Sequence, residues 1–351
     1  MMRRGVLYDV GRVMGANWRP DYDPGVVRRE LEIIKTDLHC NTVKICGRDI
    51  GRLTAASRSA LELGLEVWFS PELWNKPPDA TLDHITRAAV AAEGLRETWP
   101  GRVVFSVGTE LTLFMRGIIE GRTFGKRIRA MREAITSEAH NKPLNAFLGE
   151  ATAGVRKVFG GPLTYASLPS ERVDWHMFDF AGIDHYWSET IKDRYLGTLE
   201  SLFASGKPVV VTEFGFLTRV GADKTSAMGP QNFVIASMVP YMIPFVRPFA
   251  RPRVKTVHER DEGLQARSLV RQLELLEGAG VVGAFVFNFV SPLYPQGSNP
   301  KHDLDTDSFS LVKSYSGGRR GTTYPDMTWD PKESFHAVAD YYATHAGQDQ
   351  R

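Results

Sequence analysis

Cysteine is nearly absent: Cys40 and Cys46 are the only two in 351 residues. Two thiols make neither a disulfide framework nor a zinc cluster. Both lie in or beside the apolar run Cys40-Asn-Thr-Val-Lys-Ile-Cys46 and read as buried free thiols, a state that a reducing compartment preserves. Charge of one sign is missing too, since 43 Lys and Arg stand against 41 Asp and Glu for a net +2. That balance gives no electrostatic case for binding nucleic acid or a membrane surface. Arg3-Arg4 and the stretch from Arg247 to Lys255 are locally basic and read as solvated surface. The most apolar stretch, Phe233 to Val246, is interrupted by Pro240 and Pro244 and is too short to cross a bilayer. Met1 to Tyr8 enters a strand with no apolar leader-like segment before it. Together with the free thiols, this makes the cytoplasm the expected location. An oligomer is compatible with the composition and unsupported by it.

A glycine-rich phosphate loop is also lacking. The first strand, Gly5 to Val10, runs into Gly11-Arg-Val-Met-Gly15, which does not have the spacing of a dinucleotide fingerprint. This argues against an open doubly wound sheet. What the chain does have is alternation. Strand-like runs fall at 5–10, 41–45, 65–70, 103–107, 162–166, 180–184, 208–212 and 281–289. Helix-like runs fall at 25–39, 57–64, 83–99, 124–139, 145–158, 195–205, 263–277 and 335–344, with apolar spacing near 3.6 or glycine stops. This order predicts an α/β fold, a single (β/α)8 TIM barrel occupying residues 1–351 as one catalytic domain. Leu217 to Asp261 and Ser291 to Met327 follow the seventh and eighth strands. Both are irregular, and long loops there are expected to overhang the active-site face.

Two of the strand-like runs end in a carboxylate. One is Arg102-Val-Val-Phe-Ser-Val-Gly-Thr-Glu110. The other is Lys207-Pro-Val-Val-Val-Thr-Glu213-Phe-Gly-Phe216, in which a β-branched run stops at an acid. The C-terminal ends of barrel strands are where such folds place their chemistry. A lone strand-end glutamate reads as well as a helix cap or an ion-pair partner. Two of them, on the fourth and seventh strands, can meet over the barrel mouth. Retaining glycosidases need such a pair about 5–5.5 Å apart, one attacking the anomeric carbon and one protonating the leaving oxygen. Mutual repulsion and unequal burial keep one ionised and the other protonated.

On these residues the chain resembles the clan of retaining (β/α)8 glycoside hydrolases, over roughly Gly5 to Ala343. The resemblance implies that Glu110 is the acid/base and Glu213 the nucleophile. Asn41-Thr-Val-Lys44-Ile is similar to the clan's Asn-x-Val-Arg-Ile pattern, whose basic residue helps keep the nucleophile ionised. Gly182-Ile-Asp-His185-Tyr186-Trp187 is similar to its His-Tyr strand ending, whose tyrosine hydrogen-bonds the nucleophile. Gly283-Ala-Phe-Val-Phe-Asn288-Phe falls where the clan offers a tryptophan platform. Three positions depart from the pattern: Thr109 stands where an asparagine usually precedes the acid/base, Lys44 replaces arginine, and Phe287-Asn288 replaces tryptophan. A transglycosylase, or a carbohydrate-binding barrel with decayed catalysis, is therefore the alternative to a hydrolase acting by double displacement. A lyase or aldolase would want a catalytic lysine or a phosphate loop, and neither is evident.

The expected substrate-binding set is Asp9, Lys44, Trp74, Thr109, His185, Tyr186, Trp187 and Asn288. Asp9 ends the first strand and reads either as a sugar ligand or as a structural carboxylate. Trp74 and Trp187 could each stack on a sugar face or simply pack. Glu72, after the third strand, is the rival carboxylate. His185 could equally be a satisfied core imidazole, and Arg48-Asp49 an ion pair. His302-Asp-Leu-Asp-Thr-Asp307 is rich in acids but lacks the glycine and terminal glutamate of a calcium loop. The reading needs no cofactor and no metal. Its partner is a carbohydrate or glycoside.

Overall fold

The structure is a computed structural model that describes residues 1–224, 232–243 and 245–346. Eight parallel strands close into a barrel: β1 Arg3–Asp9, β2 Thr42–Gly47, β3 Glu66–Pro71, β4 Val103–Thr109, β5 Leu163–Ser167, β6 Ala181–Asp184, β7 Val209–Phe214 and β8 Gly283–Val286. Neighbours in sequence pair in space, and β8 closes on β1 through Arg3 opposite Gly283 and Val6 opposite Val286. β2, β4, β7 and β8 are buried along their whole length. That burial explains why they read as continuous apolar runs rather than as alternating ones.

The helices form the outer layer: α1 Pro24–Thr36, α2 Ile50–Glu62, α3 Pro78–Thr98, α4 Leu111–Phe114, α5 Phe124–Ser137, α6 Asn141–Val155, α7 Gly197–Phe203, α8 Ile235–Tyr241, α9 Glu262–Gly278 and α10 Glu333–Ala346. α2 begins seven residues earlier than apolar spacing predicts. Asp49, expected as an ion-pair partner of Arg48, instead caps this helix by accepting from the Arg52 N–H at 2.9 Å, as N-cap aspartates do. Between β5 and β6 a 3-10 turn, Trp175–Met177, stands in place of a helix.

Trp68, Val104, Val210 and Phe285 fill the barrel interior as a cluster of their own. Gly5 is required beside them, because a Cβ there would lie 2.5 Å from the Phe285 ring. At the other end of the barrel the ladders slip. Pairing shifts between Ser106 and Thr109 on β4, and between Ile183 and Asp184 on β6 where it meets β7. Such bulges re-aim the side chains that follow them, and Glu110 and Glu213 are the residues so placed.

Both long loops cover this end. Ala16, Met238, Tyr241, Leu293 and Leu304 form an apolar cluster that joins them to the β1–α1 connection. Arg260 ties the loop after β7 to the loop after β8 through Asp303 at 2.9 Å and Asp305 at 2.8 Å. Residues 225–231 and 244 of the first loop lie outside the described residues.

Candidate active site

Glu213, near the end of β7, is 5% exposed and has a partner on each oxygen. Lys44 donates from Nζ to Oε1 at 3.0 Å, and the Tyr186 hydroxyl donates to Oε2 at 3.2 Å. Arg12 Nη1 lies 3.7 Å from the same Oε1. Burial alone would discharge the Lys44 ammonium, but Glu213, Asp184 and Glu72 outweigh it and hold the amine pKa above its ordinary value.

Glu110 follows β4 directly in a left-handed backbone, φ 45° and ψ 46°. Non-glycine residues adopt that conformation only under local constraint, and the constraints are visible. Its N–H donates to the Ala166 carbonyl at 2.8 Å, and its own carbonyl accepts from Phe114 N at 3.0 Å. The next residue, Leu111, donates its N–H to the Tyr165 hydroxyl at 2.8 Å. Tyr165 donates in turn to the buried Glu171 at 2.9 Å. The Glu110 carboxyl is raised well above the usual range, by dehydration first and then by the negative charges of Asp184, Glu213 and Glu171. One glutamate is thus paired with a cation while the other is driven to keep its proton.

Both glutamates line one cavity of about 580 Å³, together with Trp74, Thr109, His185 and Tyr186. His185 is a neutral ring. Its Nε2–H donates to the Tyr195 carbonyl at 2.7 Å, the ring stacks on Tyr195, and burial lowers its pKa to about 4. Lys44 lies behind Glu213 rather than on the cavity wall.

Besides Lys44, three more of the expected binding residues lie off the cavity. Asp9 is a structural carboxylate: it accepts from the N–H groups of Gly11 and Arg12 at 2.7 and 2.9 Å and from Arg12 Nε at 2.8 Å. Trp187 faces outward to α9. Its backbone N–H donates to Gln272 Oε1 at 3.3 Å, and the Arg271 guanidinium covers its ring at 4.8 Å. Asn288 braces its own loop by donating to the Val290 carbonyl at 3.2 Å and accepting from Ser291 at 3.0 Å. None of the three lines the cavity.

Sequence reading missed Arg12, which lines the cavity and is 2% exposed. It also missed Asp184, a cavity carboxyl that accepts from Thr212 at 2.5 Å and is raised by burial and then by Glu213. Its only signal was its place at a strand end. Glu72, the rival carboxylate, is buried behind Thr109 (3.5 Å) and Arg12 (3.7 Å). Burial foremost raises its pKa to about 7. The acids of the 302–307 loop are engaged by the chain's own groups: Asp305 by Lys332 at 2.9 Å, and Asp307 by Arg219 at 2.9 Å and Asn232 at 2.7 Å.

No family model and no curated protein matches the chain. Solved structures that align with the chain include glycoside hydrolases. A GH113 beta-1,4-mannanase aligns with a TM-score of 0.61 at 14% identity, covering 98% of this chain and 99% of the other. The GH113 beta-mannanase of Alicyclobacillus acidocaldarius gives 0.58 at 16% identity, with 98% and 97% covered. A β-glucuronidase from Ruminococcus gnavus gives 0.53 at 14% identity, covering 97% of this chain and 49% of that longer one. At these identities the likeness establishes the (β/α)8 fold.

Proposed function

We propose that the chain is a retaining glycoside hydrolase whose residues 1–351 form one catalytic domain. Glu213 attacks the anomeric carbon while Glu110 protonates the departing oxygen, which leaves a covalent glycosyl-enzyme. Glu110, now ionised, takes a proton from water. The water attacks the same carbon, releases Glu213, and frees the sugar with its configuration kept. The supporting observation is the opposed environment of two carboxyls in one cavity: Glu213 between Lys44 and Tyr186, Glu110 among carboxylates that favour its proton.

In this reading Lys44 and Tyr186 aim and charge the nucleophile. His185 and Thr109 bound the sugar, and Trp74 offers an apolar wall. No organic cofactor enters the scheme. The names of the mannanase and glucuronidase neighbours fit a carbohydrate substrate. Two buried, unpaired cysteines fit a reducing compartment, the cytoplasm. No described helix is long and apolar enough to cross a membrane.

The test is a panel of chromogenic glycosides, followed by NMR of the first-formed anomer on the sugar accepted. Retention is expected. Inversion would remove Glu213 as nucleophile. Tight oligosaccharide binding without any product on long incubation would make this a binding barrel instead.

A further inference from the structure

We infer that the leaving-group side of this cavity is an aromatic slot for an apolar aglycone, an aryl or arylalkyl alcohol, rather than for a second sugar. The inference rests on the glycosidase reading. An acid that protonates the leaving oxygen must touch it, so the wall next to Glu110 faces the departing group. That wall is built from Phe114 at the end of α4, Phe124 at the start of α5, and Trp74 just past β3, the barrel neighbour of β4. All three line the cavity.

The three rings stack on one another. Trp74 lies on Phe114 with centroids 4.3 Å apart and planes at 12°, and Phe114 lies on Phe124 at 5.4 Å and 9°. A sugar stacks on an open ring face, and Phe114 already stacks with two rings. A ring edge suits an aromatic guest in edge-to-face contact.

The wall is also poor in hydrogen-bonding groups. The Phe114 carbonyl is already taken by the Asn75 N–H at 2.7 Å. Trp74 Nε1 is buried and without a partner, a single donor. The Arg12 guanidinium beside Trp74 is held by Asp9 through Nε, and Thr109 is the other polar group next to Glu110. A second sugar would bring more hydroxyls than these few groups can pair, and buried hydroxyls without partners are costly. The rest of the lining includes Asp184, His185 and Tyr186, polar groups that suit the sugar that stays. A cavity of about 580 Å³ has room for one sugar ring and one aromatic group.

The experiment offers the accepted sugar as its benzyl glycoside, its methyl glycoside and a disaccharide. Methanol and benzyl alcohol are nearly equal in acidity, so their ratio reads binding of the aglycone rather than leaving ability. The benzyl glycoside should exceed the methyl glycoside in kcat/KM by about tenfold or more and should also exceed the disaccharide. Phe114→Ala should pull the benzyl-to-methyl ratio toward one. Because that residue sits close to Glu110, Phe124→Ala on α5 is the second variant, and competitive inhibition of the wild type by benzyl alcohol is a readout free of mutation. Equal rates for benzyl and methyl, or a preferred disaccharide, would overturn the slot while leaving the hydrolase standing. If no glycoside is turned over, the hydrolase reading fails, and calorimetry on the wild type then decides the slot: tighter benzyl than methyl glycoside keeps it, equal affinity removes it.

Discussion

Lys44 on β2 and Glu213 on β7, 169 residues apart in sequence, form a buried ion pair of 3.0 Å beneath the barrel mouth. The pair ties two non-adjacent strands together and places a cation against the proposed nucleophile. Glu213→Gln should lower turnover by at least about 10⁴-fold with circular dichroism unchanged. Lys44→Met and Glu213→Gln each leave one buried group without its partner, at a cost of about 3–5 kcal/mol. The double variant should lose less than the sum, with a coupling of about 1–3 kcal/mol in urea unfolding. Strict additivity would mean that the contact contributes nothing as a pair.

Glu110 should behave as an acid whose value depends on the leaving group. Glu110→Ala is expected to cost about 10²–10⁴-fold on alkyl glycosides. On glycosides with an acidic phenol, which needs no proton to leave, the first step should be largely spared. Dehydration and neighbouring carboxylates raise the Glu110 pKa. The protonated, active form therefore persists above the ordinary carboxylate range, and activity on alkyl glycosides falls on the basic side as the proton is lost. That basic limb should vanish in the variant. Equal losses on both substrate types would count against the assignment.

Glu72 gives a pH signature in stability. Burial foremost raises its carboxyl from 4.5 to about 7. The folded protein then binds this proton more tightly than the unfolded chain does. The stabilisation is complete below pH 4.5 and is lost as pH rises through 7. Glu72→Gln removes the titration. Its unfolding free energy relative to wild type should grow by about 2–3 kcal/mol between about pH 5 and pH 8. A difference that stays constant across urea melts in that range would show that Glu72 does not titrate there.

The eight strands were legible because strands covered on both sides are apolar throughout. Glu110 and Glu213 were legible because each interrupts such a run at its end. The bulges that aim them leave no mark in the sequence. β6 stops at Asp184, so His185, Tyr186 and Trp187 follow an irregular backbone in which alternation assigns no face. The Tyr186 hydroxyl reaches Glu213, whereas the Trp187 ring lies under Arg271 of α9. Asn288 was misread because asparagine competes well for its own local backbone. Arg12 is one of 43 basic residues, and no periodicity singles it out. Its importance exists only once β1, β3 and β7 converge on it.

The two tryptophans therefore part company experimentally. Trp187 is 6% exposed and packed under Arg271. Trp187→Ala should cost about 3–5 kcal/mol of stability, with KM unchanged in protein that remains folded. Trp74→Ala should raise KM about tenfold by removing the cavity wall. A raised KM in the Trp187 variant, measured well below its melting temperature, would restore that residue to the binding set.

Arg12 is the strongest test of what the sequence concealed. Its guanidinium holds Asp9 at 2.8 Å through Nε and reaches within 3.7 Å of both Glu72 and Glu213 through Nη1. The rings of Trp18, Trp74 and Phe287 surround it at 4.9, 5.3 and 5.0 Å. A lysine keeps the charge but has one nitrogen and no plane, so it cannot bridge these carboxylates and pack against the rings at once. Arg12→Lys should lower kcat about 10–100-fold, more than it changes KM, because the lost contact is to the proposed nucleophile rather than to the sugar alone. Asp9→Asn should reproduce part of that loss without touching the cavity, since Asp9 holds the guanidinium in place. A lysine variant with wild-type kcat would reduce Arg12 to a packing role and leave Lys44 and Tyr186 as the groups that set Glu213.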